Sequence, residues 1–581
     1  MLPQNNIPKD VGRKLLKLVL SRWKLLTVTL ILTSIVSYIS TIFPYLTREA
    51  VNLLYAGKIE DIWFYAVLVV VLTIIQGLAS YGKNVFSEYT GQSIVYELRN
   101  RIYAHLNELS LGFFDRIESG QIIARATSDV EDIRRFIGFG IPSILNIIVM
   151  FVFSIAMMLI IDVELTLVTL SMFPLMVLFV RYSIPKYRAY VAMSRNIYSE
   201  MTTAVKEAAT GIKVIKSYVL GDYFASNFRS KLLEYFNMDM KTSKLRAIIW
   251  PSMGWFVYLT IAIIYWYGGL RAISGDITIG DVVAFTLYIL FLNRPIMLIG
   301  YNIVRYQRAL VATKRIFDIL EAEPEVRDLP DAEDIEIKRG NIRFENVWFS
   351  YDGKNYVLKG LNLEIKPGEI VALTGPTGSG KSTIAQLIMR LYDPQKGRIL
   401  IDGVDVKRFK LESLRRQIGM VHQDVFLFPD TIRNNIAFGA PDTSIEDVVR
   451  VAKLAHIHDF ISSLPKGYDT NVGERGVTLS GGQRQRLSIA RALMINPKII
   501  ILDDSTSQVD AKTEAAIYDA LTKHFRGKTV IVITQRIPTL KLVDRIIVIS
   551  DGEIVEEGSF SDLIEKGKLF PKLFKAGREE I

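Results

Sequence analysis

A chain of 581 residues exceeds what one ordinary core buries, and half of its residues are hydrophobic, so at least two domains are expected, one of them unusually apolar. The net charge of +10, from 70 Lys and Arg against 60 Asp and Glu, suits either nucleic acid or the inner face of a membrane. Long apolar runs crowd roughly the first 310 positions and favour the membrane, and the absence of cysteine excludes disulfides, thiolate metal sites and cysteine nucleophiles.

No small-residue cleavage site follows a short apolar core at the N-terminus, so no removed signal peptide is expected. Residues 11–23 space leucine and valine helically between Arg13, Lys14, Lys17 and Arg22. That pattern predicts a basic amphipathic helix in the membrane interface, continuous with the inner end of a first span. Six stretches then approach the ~20 apolar residues a bilayer core requires: 25–45, 62–81, 137–161, 165–182, 247–266 and 282–303. Aromatic residues such as Trp63, Tyr267 and Tyr301 stand near their ends, as in interface belts.

Basic residues crowd the N-terminus and the connections after spans two and four, among them Arg99, Arg134, Arg135, Lys213, Lys216 and Lys241. The short connection after span three, Asp162-Val163-Glu164, has none. The positive-inside rule therefore puts both termini, and whatever domain follows the spans, in the cytoplasm. The two basic connections are roughly 55 to 65 residues long, poor in Pro and Gly, and are expected to be helical hairpins rather than structureless loops. Each contains one break, near Leu111–Gly112 and near Thr210–Gly211.

Charge inside a span is costly and defaults to function, which singles out Arg294 beside the helix-kinking Pro295. The alternative is that Arg294 lies near an interface and snorkels. Trp255, Tyr258 and Tyr265 lie along the fifth span, the two tyrosines seven residues apart and so on one face. Such a stripe is either packing or the wall of a cavity for an amphipathic or hydrophobic compound.

Composition changes after residue 315. Residues 321–334 are acidic with two prolines and read as a linker. Short β-branched runs at 342–344, 369–374, 398–401, 498–502, 529–534 and 545–550 then alternate with helical stretches, predicting an α/β domain with a largely parallel sheet. The expected division is 1–322 for the membrane domain, 323–338 for the linker and 339–581 for the α/β domain.

The strand ending at Thr374 runs directly into Gly375, Pro376, Thr377, Gly378, Ser379, Gly380, Lys381, Ser382 and Thr383, the P-loop pattern, with a helix expected over 383–392. Its glycines let backbone N–H groups turn inward on phosphates, and the helix N-terminus adds partial positive charge. Lys381 is expected on the β- and γ-phosphates of ATP and Ser382 on Mg²⁺. A second apolar strand ends in Asp503, where a P-loop fold completes the Mg²⁺ shell.

Between these lies Leu479-Ser480-Gly481-Gly482-Gln483, which resembles the signature of ABC transporter ATPases and is far more specific than a P-loop alone. In that family the signature faces the γ-phosphate of ATP held by another subunit, so the resemblance implies a dimer. Tyr351 matches the aromatic that stacks on adenine, Gln423 the Q-loop glutamine (a catalytic and Mg²⁺-ligating position) and Asp510 the D-loop aspartate. The segment 470–476 (TNVGERG) and the hairpin motifs SLGFFDR at 110–116 and GIKVIKSY at 211–218 resemble the exporter branch. The resemblance covers essentially the whole chain and implies a six-helix membrane domain fused to an ABC ATPase.

Two positions depart from the family. The glutamate that follows the strand-ending aspartate is here Asp504, one methylene shorter, and the later histidine is Gln535. A displacement of about 1 Å can cost about 100-fold in rate, and an amide cannot carry charge to the γ-phosphate. The pair resembles the degenerate-site subunit of heterodimeric exporters, whose partner supplies Glu and His. The expectation is therefore one half of an ATP-driven exporter of drug- or lipid-like compounds in the cytoplasmic membrane, paired with a different half-transporter and binding no nucleic acid. Two alternatives stay open: a homodimer using Asp504 as a weaker base, and a non-pumping ATP-gated membrane regulator. With no substrate-capturing or peptidase domain evident, an importer and a peptide-processing exporter are not expected.

Overall fold

The computed structural model describes residues 9–473, 476, 478–503 and 527–575. The Arg294 side chain and residues Asp504 and Asp510 fall outside the described residues, as do Glu474, Arg475 and Val477 of the 470–476 segment. The chain forms two compact units, one of Met1–Leu106 with Gly120–Glu321, the other of Asn107–Ser119 with Ala322–Ile581.

In the first unit the amphipathic helix Lys9–Ser21 buries Val11, Leu15, Leu18 and Val19 on one face. Among the described residues six helical stretches long and apolar enough to cross a membrane follow: Trp23–Tyr55, Ile59–Glu108, Ser119–Ile161, Val163–Thr210, Gly221–Ser274 and Ile279–Leu320. Each contains one of the runs read from the sequence. The segments run well beyond ~20 residues because the charged connections continue as helix. Apolar side chains such as Trp63, Phe64, Val70 and Leu78 stand exposed, a surface that suits lipid and not water.

What holds these helices together is partly polar. Thr29, Thr33, Ser37 and Thr41 recur every fourth residue on one buried face of the first span. Thr33 and Ser37 donate to the carbonyls of Thr29 and Thr33, each at 2.7 Å. Small hydroxyl side chains let helices approach closely and satisfy themselves within the helix. Asn146 of the third span donates to Ser37 at 2.6 Å, and Asn302 of the sixth donates to Ser143 at 2.8 Å. At one end of the bundle Arg48 pairs with Asp281, which is also the N3 partner of Thr278 in a capping box at the start of the sixth span.

Among the described residues of the second unit ten strands form two sheets: β1 (Ile342–Phe349), β2 (Leu358–Ile365), β3 (Ile370–Thr374), β4 (Lys396–Ile401), β5 (Val404–Asp405), β6 (Ile418–Val421), β7 (Ile499–Asp503), β8 (Thr529–Ile533), β9 (Arg545–Ser550) and β10 (Glu553–Gly558). The larger sheet, in the order β10-β9-β3-β8-β7-β6, is parallel from β9 to β6 with β10 antiparallel at its edge. The smaller, β2-β1-β4-β5, is wholly antiparallel. The runs at 342–344 and 398–401 thus belong to a second sheet and not to one largely parallel sheet. A β-branched run signals a strand without saying which partner it pairs with. The acidic stretch after Glu321 is docked on this unit: Glu333 exchanges backbone hydrogen bonds with Arg408 and Lys410, each at 2.9 Å.

Candidate nucleotide site

The parallel strands β3, β7 and β8 lie side by side in the order β3-β8-β7, and their C-terminal ends carry the site. β7 and β8 are buried throughout and β3 from Val371 onward, so the chain emerges from a packed floor. From β3 the chain turns at Gly375 with φ of 140°. A Cβ there would lie 2.0 Å from the Ile549 carbonyl oxygen, so only glycine fits. Gly378 and Gly380 also take left-handed conformations before the helix Lys381–Ile388 begins.

Lys381 folds its ammonium back into the loop, donating to the carbonyls of Gly375 at 3.0 Å and Pro376 at 2.6 Å and to Ser379 Oγ at 3.2 Å. Burial pulls its pKa down, opposed by the negative charge of Asp503. At the tip of β7, Asp503 is 6% exposed; burial pushes its carboxyl up, against a hydrogen bond accepted from Ser382 and the charge of Lys381. A buried ammonium and a buried carboxyl, each disfavoured in its charged form, are what a phosphate chain and its cation would relieve. Ser382 and Asp503 are therefore a fitting pair of oxygen donors for Mg²⁺, which takes one or two carboxylates and fills most of its shell with water and phosphate.

Tyr351, just past β1, stands over the P-loop helix, its hydroxyl donating to Gln386 Oε1 at 2.6 Å and lying 3.0 Å from Thr383 Oγ1. Gln535 follows β8 and donates its amide to the Gly375 carbonyl at 2.9 Å, so it meets the P-loop directly. Gln423, two residues past the end of β6, is exposed. Ser480 caps the helix Gly481–Met494 by accepting from Gln483 N, and the Gln483 side chain accepts from Ser480 N, a closed capping box. Thr377, Ser379, Gly481 and Gly482 lie on their loop and helix start as the motifs require.

Three residues near these motifs escaped the sequence reading. Arg491 ties the signature helix to the loop after Gln423, donating to the carbonyls of Phe426 at 2.9 Å and Asn435 at 2.8 Å. Tyr392, expected as the last residue of the P-loop helix, lies beyond it and donates to Asp115, which stands inside the SLGFFDR motif. These partners are far apart in sequence, and only the motif around Asp115 marks any of them.

In the membrane unit Trp255, Tyr258 and Tyr265 are 72%, 69% and 58% exposed. A small apolar crevice, with room of only about 20 Å³, is lined instead by the next faces, including Phe256, Val257 and Thr260 with Met176, Leu292 and Asn293. The structure does not bring the aromatic stripe to that crevice.

Comparison with known proteins agrees with both units. A family profile described as ABC transporter transmembrane region matches residues 26–296, and one described as ABC transporter matches residues 358–507. An uncharacterized ABC transporter ATP-binding protein of Bacillus subtilis, YknU, is 35% identical over 556 residues, covering 95% of this chain and 94% of its own. A putative multidrug export ATP-binding/permease protein of Staphylococcus aureus is 37% identical over 493 residues, 85% of each chain. Among solved structures, a bacterial Atm1-family ABC exporter with ATP bound superposes with a TM-score of 0.78 at 28% identity, covering 96% of this chain and 99% of that one. With six apolar helices and an ABC ATPase on one polypeptide, the chain belongs to the ABC transporter family as a multi-pass, ATP-hydrolysing exporter subunit.

Proposed function

We propose that this chain is the slow-site half of a heterodimeric exporter for small amphipathic or hydrophobic compounds, with its ATPase unit and both termini in the cytoplasm. The observation that carries this reading is Gln535, a neutral amide 2.9 Å from the Gly375 carbonyl where the family places a histidine. It can donate a hydrogen bond to a γ-phosphate but brings no positive charge to it. Asp504, one methylene short of the usual glutamate, weakens the polarisation of the attacking water in the same site.

ATP binding is unaffected by either change. In this reading Gly375 to Thr383 cradle the triphosphate, Tyr351 stacks on the adenine, and Ser382, Asp503 and Gln423 hold Mg²⁺, which neutralises developing phosphate charge when bound. Ser480, with Gly481, Gly482 and Gln483, presents an intact helix N-terminus to nucleotide on the partner, and Asp510 serves the same interface. Relatives named for multidrug export support the drug-like substrate class. The test is affinity purification of the tagged chain from its native membrane. A second six-span ATPase subunit carrying Glu and His is expected in equal amount, and a lone homodimer with brisk, substrate-stimulated hydrolysis overturns the reading.

A further inference from the structure

One cavity of the ATPase unit takes no wall from the nucleotide motifs. Its volume is about 470 Å³, within the ~300–1,000 Å³ of small-molecule sites. Three separate stretches of the second unit line it: residues 107–114, the linker around Val326, and the region from Leu391 to Arg415. Leu109, Leu111, Phe114, Val326, Leu391 and Leu411 make most of its wall apolar.

Positive charge collects on one side of that wall. Arg415 donates through Nε to the Met389 carbonyl at 3.2 Å and through Nη2 to the Arg390 carbonyl at 2.8 Å, which uses one edge of its guanidinium. The Nη1–Nη2 end of the fork is left over: among the described residues no acceptor meets Nη1 and no carboxylate pairs with Arg415. The Arg390 guanidinium is 1% exposed and has its own counter-charge in Asp393 at 3.0 Å. Burial first, and the Arg390 charge second, pull the Arg415 pKa down, against the attraction of Asp328. An arginine keeps its proton all the same, so the charge stays and is poorly relieved. Neighbouring carboxylates are engaged elsewhere, Asp328 accepting from Leu411 N at 2.8 Å and Glu325 pairing with Arg116. Glu108, the acidic residue of the wall, is exposed, where water screens it.

We propose that this cavity binds an organic carboxylate with a compact apolar body, its two oxygens on the free end of the Arg415 guanidinium. Guanidinium and carboxylate match as a planar, two-bond pair. A phosphate would turn its remaining oxygens toward leucine and phenylalanine, where nothing hydrogen-bonds them. A neutral apolar compound would fill the walls and leave the Arg415 charge as it is. No wall residue comes from the P-loop, the signature or the strand-ending Asp503, so the occupant is an effector and not a second nucleotide. It touches all three stretches of chain at once and holds them together.

The probe is para-fluorophenylbutanoate, followed by fluorine NMR line width on the full chain in nanodiscs, with empty nanodiscs as the blank. Saturable broadening is expected, with a Kd of ~1 mM for a probe of this size. The matching amide, which keeps the shape and loses the charge, should bind at least about tenfold more weakly. Arg415→Gln should cost the carboxylate a similar factor. Leu411→Trp, which fills the cavity and keeps the cation, should abolish saturable binding while ATP affinity stays as in the parent. If Arg415→Gln fails to fold, the amide and Leu411→Trp still decide. Broadening no greater than with empty nanodiscs, equal binding of carboxylate and amide, or undiminished binding in folded Leu411→Trp overturns the site.

Discussion

Burial sets the chemistry of Lys381 and Asp503, the two charged groups proposed to meet the phosphates and their cation. Asp503 holds its proton more tightly in the fold than in the unfolded chain, so the folded state binds more protons between the two pKa values. Its contribution to stability is then greatest below the unfolded pKa and is lost as pH rises through the folded one. Asp503→Asn should accordingly raise the nucleotide-free melting temperature at pH 7, by about 2–4 °C per kcal/mol relieved, and the gain should fade in melts run toward pH 4. Lys381 shows the converse cost, a buried ammonium satisfied for the present by its own loop's carbonyls. ATP at 100 times its Kd stabilises a binding-competent fold by about 2.7 kcal/mol. Lys381→Ala should lose most of that thermal shift, and a variant that keeps it would remove Lys381 from the phosphate site.

At the scale of elements, Gly375 and Gly378 make a graded test of the loop. Gly375→Ala drives a Cβ into the Ile549 carbonyl and should cost more than about 4 kcal/mol, read as lost expression or a collapsed melt. Gly378→Ala meets open space and should cost only the ~1–2 kcal/mol of a left-handed backbone. Ser480→Ala opens the capping box and should cost about 1 kcal/mol. The six spans and the strands that end at Thr374 and Asp503 were legible because long apolar runs and β-branched runs are strong local signals. β10 was not, because its pattern Glu-Ile-Val-Glu-Glu-Gly belongs to a half-exposed edge, and β6 is only four residues long. The P-loop helix stops at Ile388, short of the expected 392, because Arg390 adopts φ of 48° and buries its guanidinium against carbonyls of Arg327, Lys407 and Phe409. Partners that distant leave no local mark, and the same holds for Tyr392 with Asp115. The site motifs themselves stood out because each needs its residues in fixed spacing.

For the whole molecule the proposed function divides labour between two unequal sites, this chain lending an intact signature helix and keeping a weak ATP site of its own. Gly482→Asp, which puts an anion at that helix start, should leave ATP binding by this chain unchanged and abolish hydrolysis by the assembled transporter. That result would show that the signature serves the partner's nucleotide. The central claim is tested most directly by Mg-ATP turnover of the purified chain, alone in nanodiscs, beside its Asp504→Glu/Gln535→His variant. The account predicts a parent that retains bound ATP with little turnover and a variant faster by up to about 100-fold. A parent that already hydrolyses ATP briskly, with nothing gained in the variant, would contradict it.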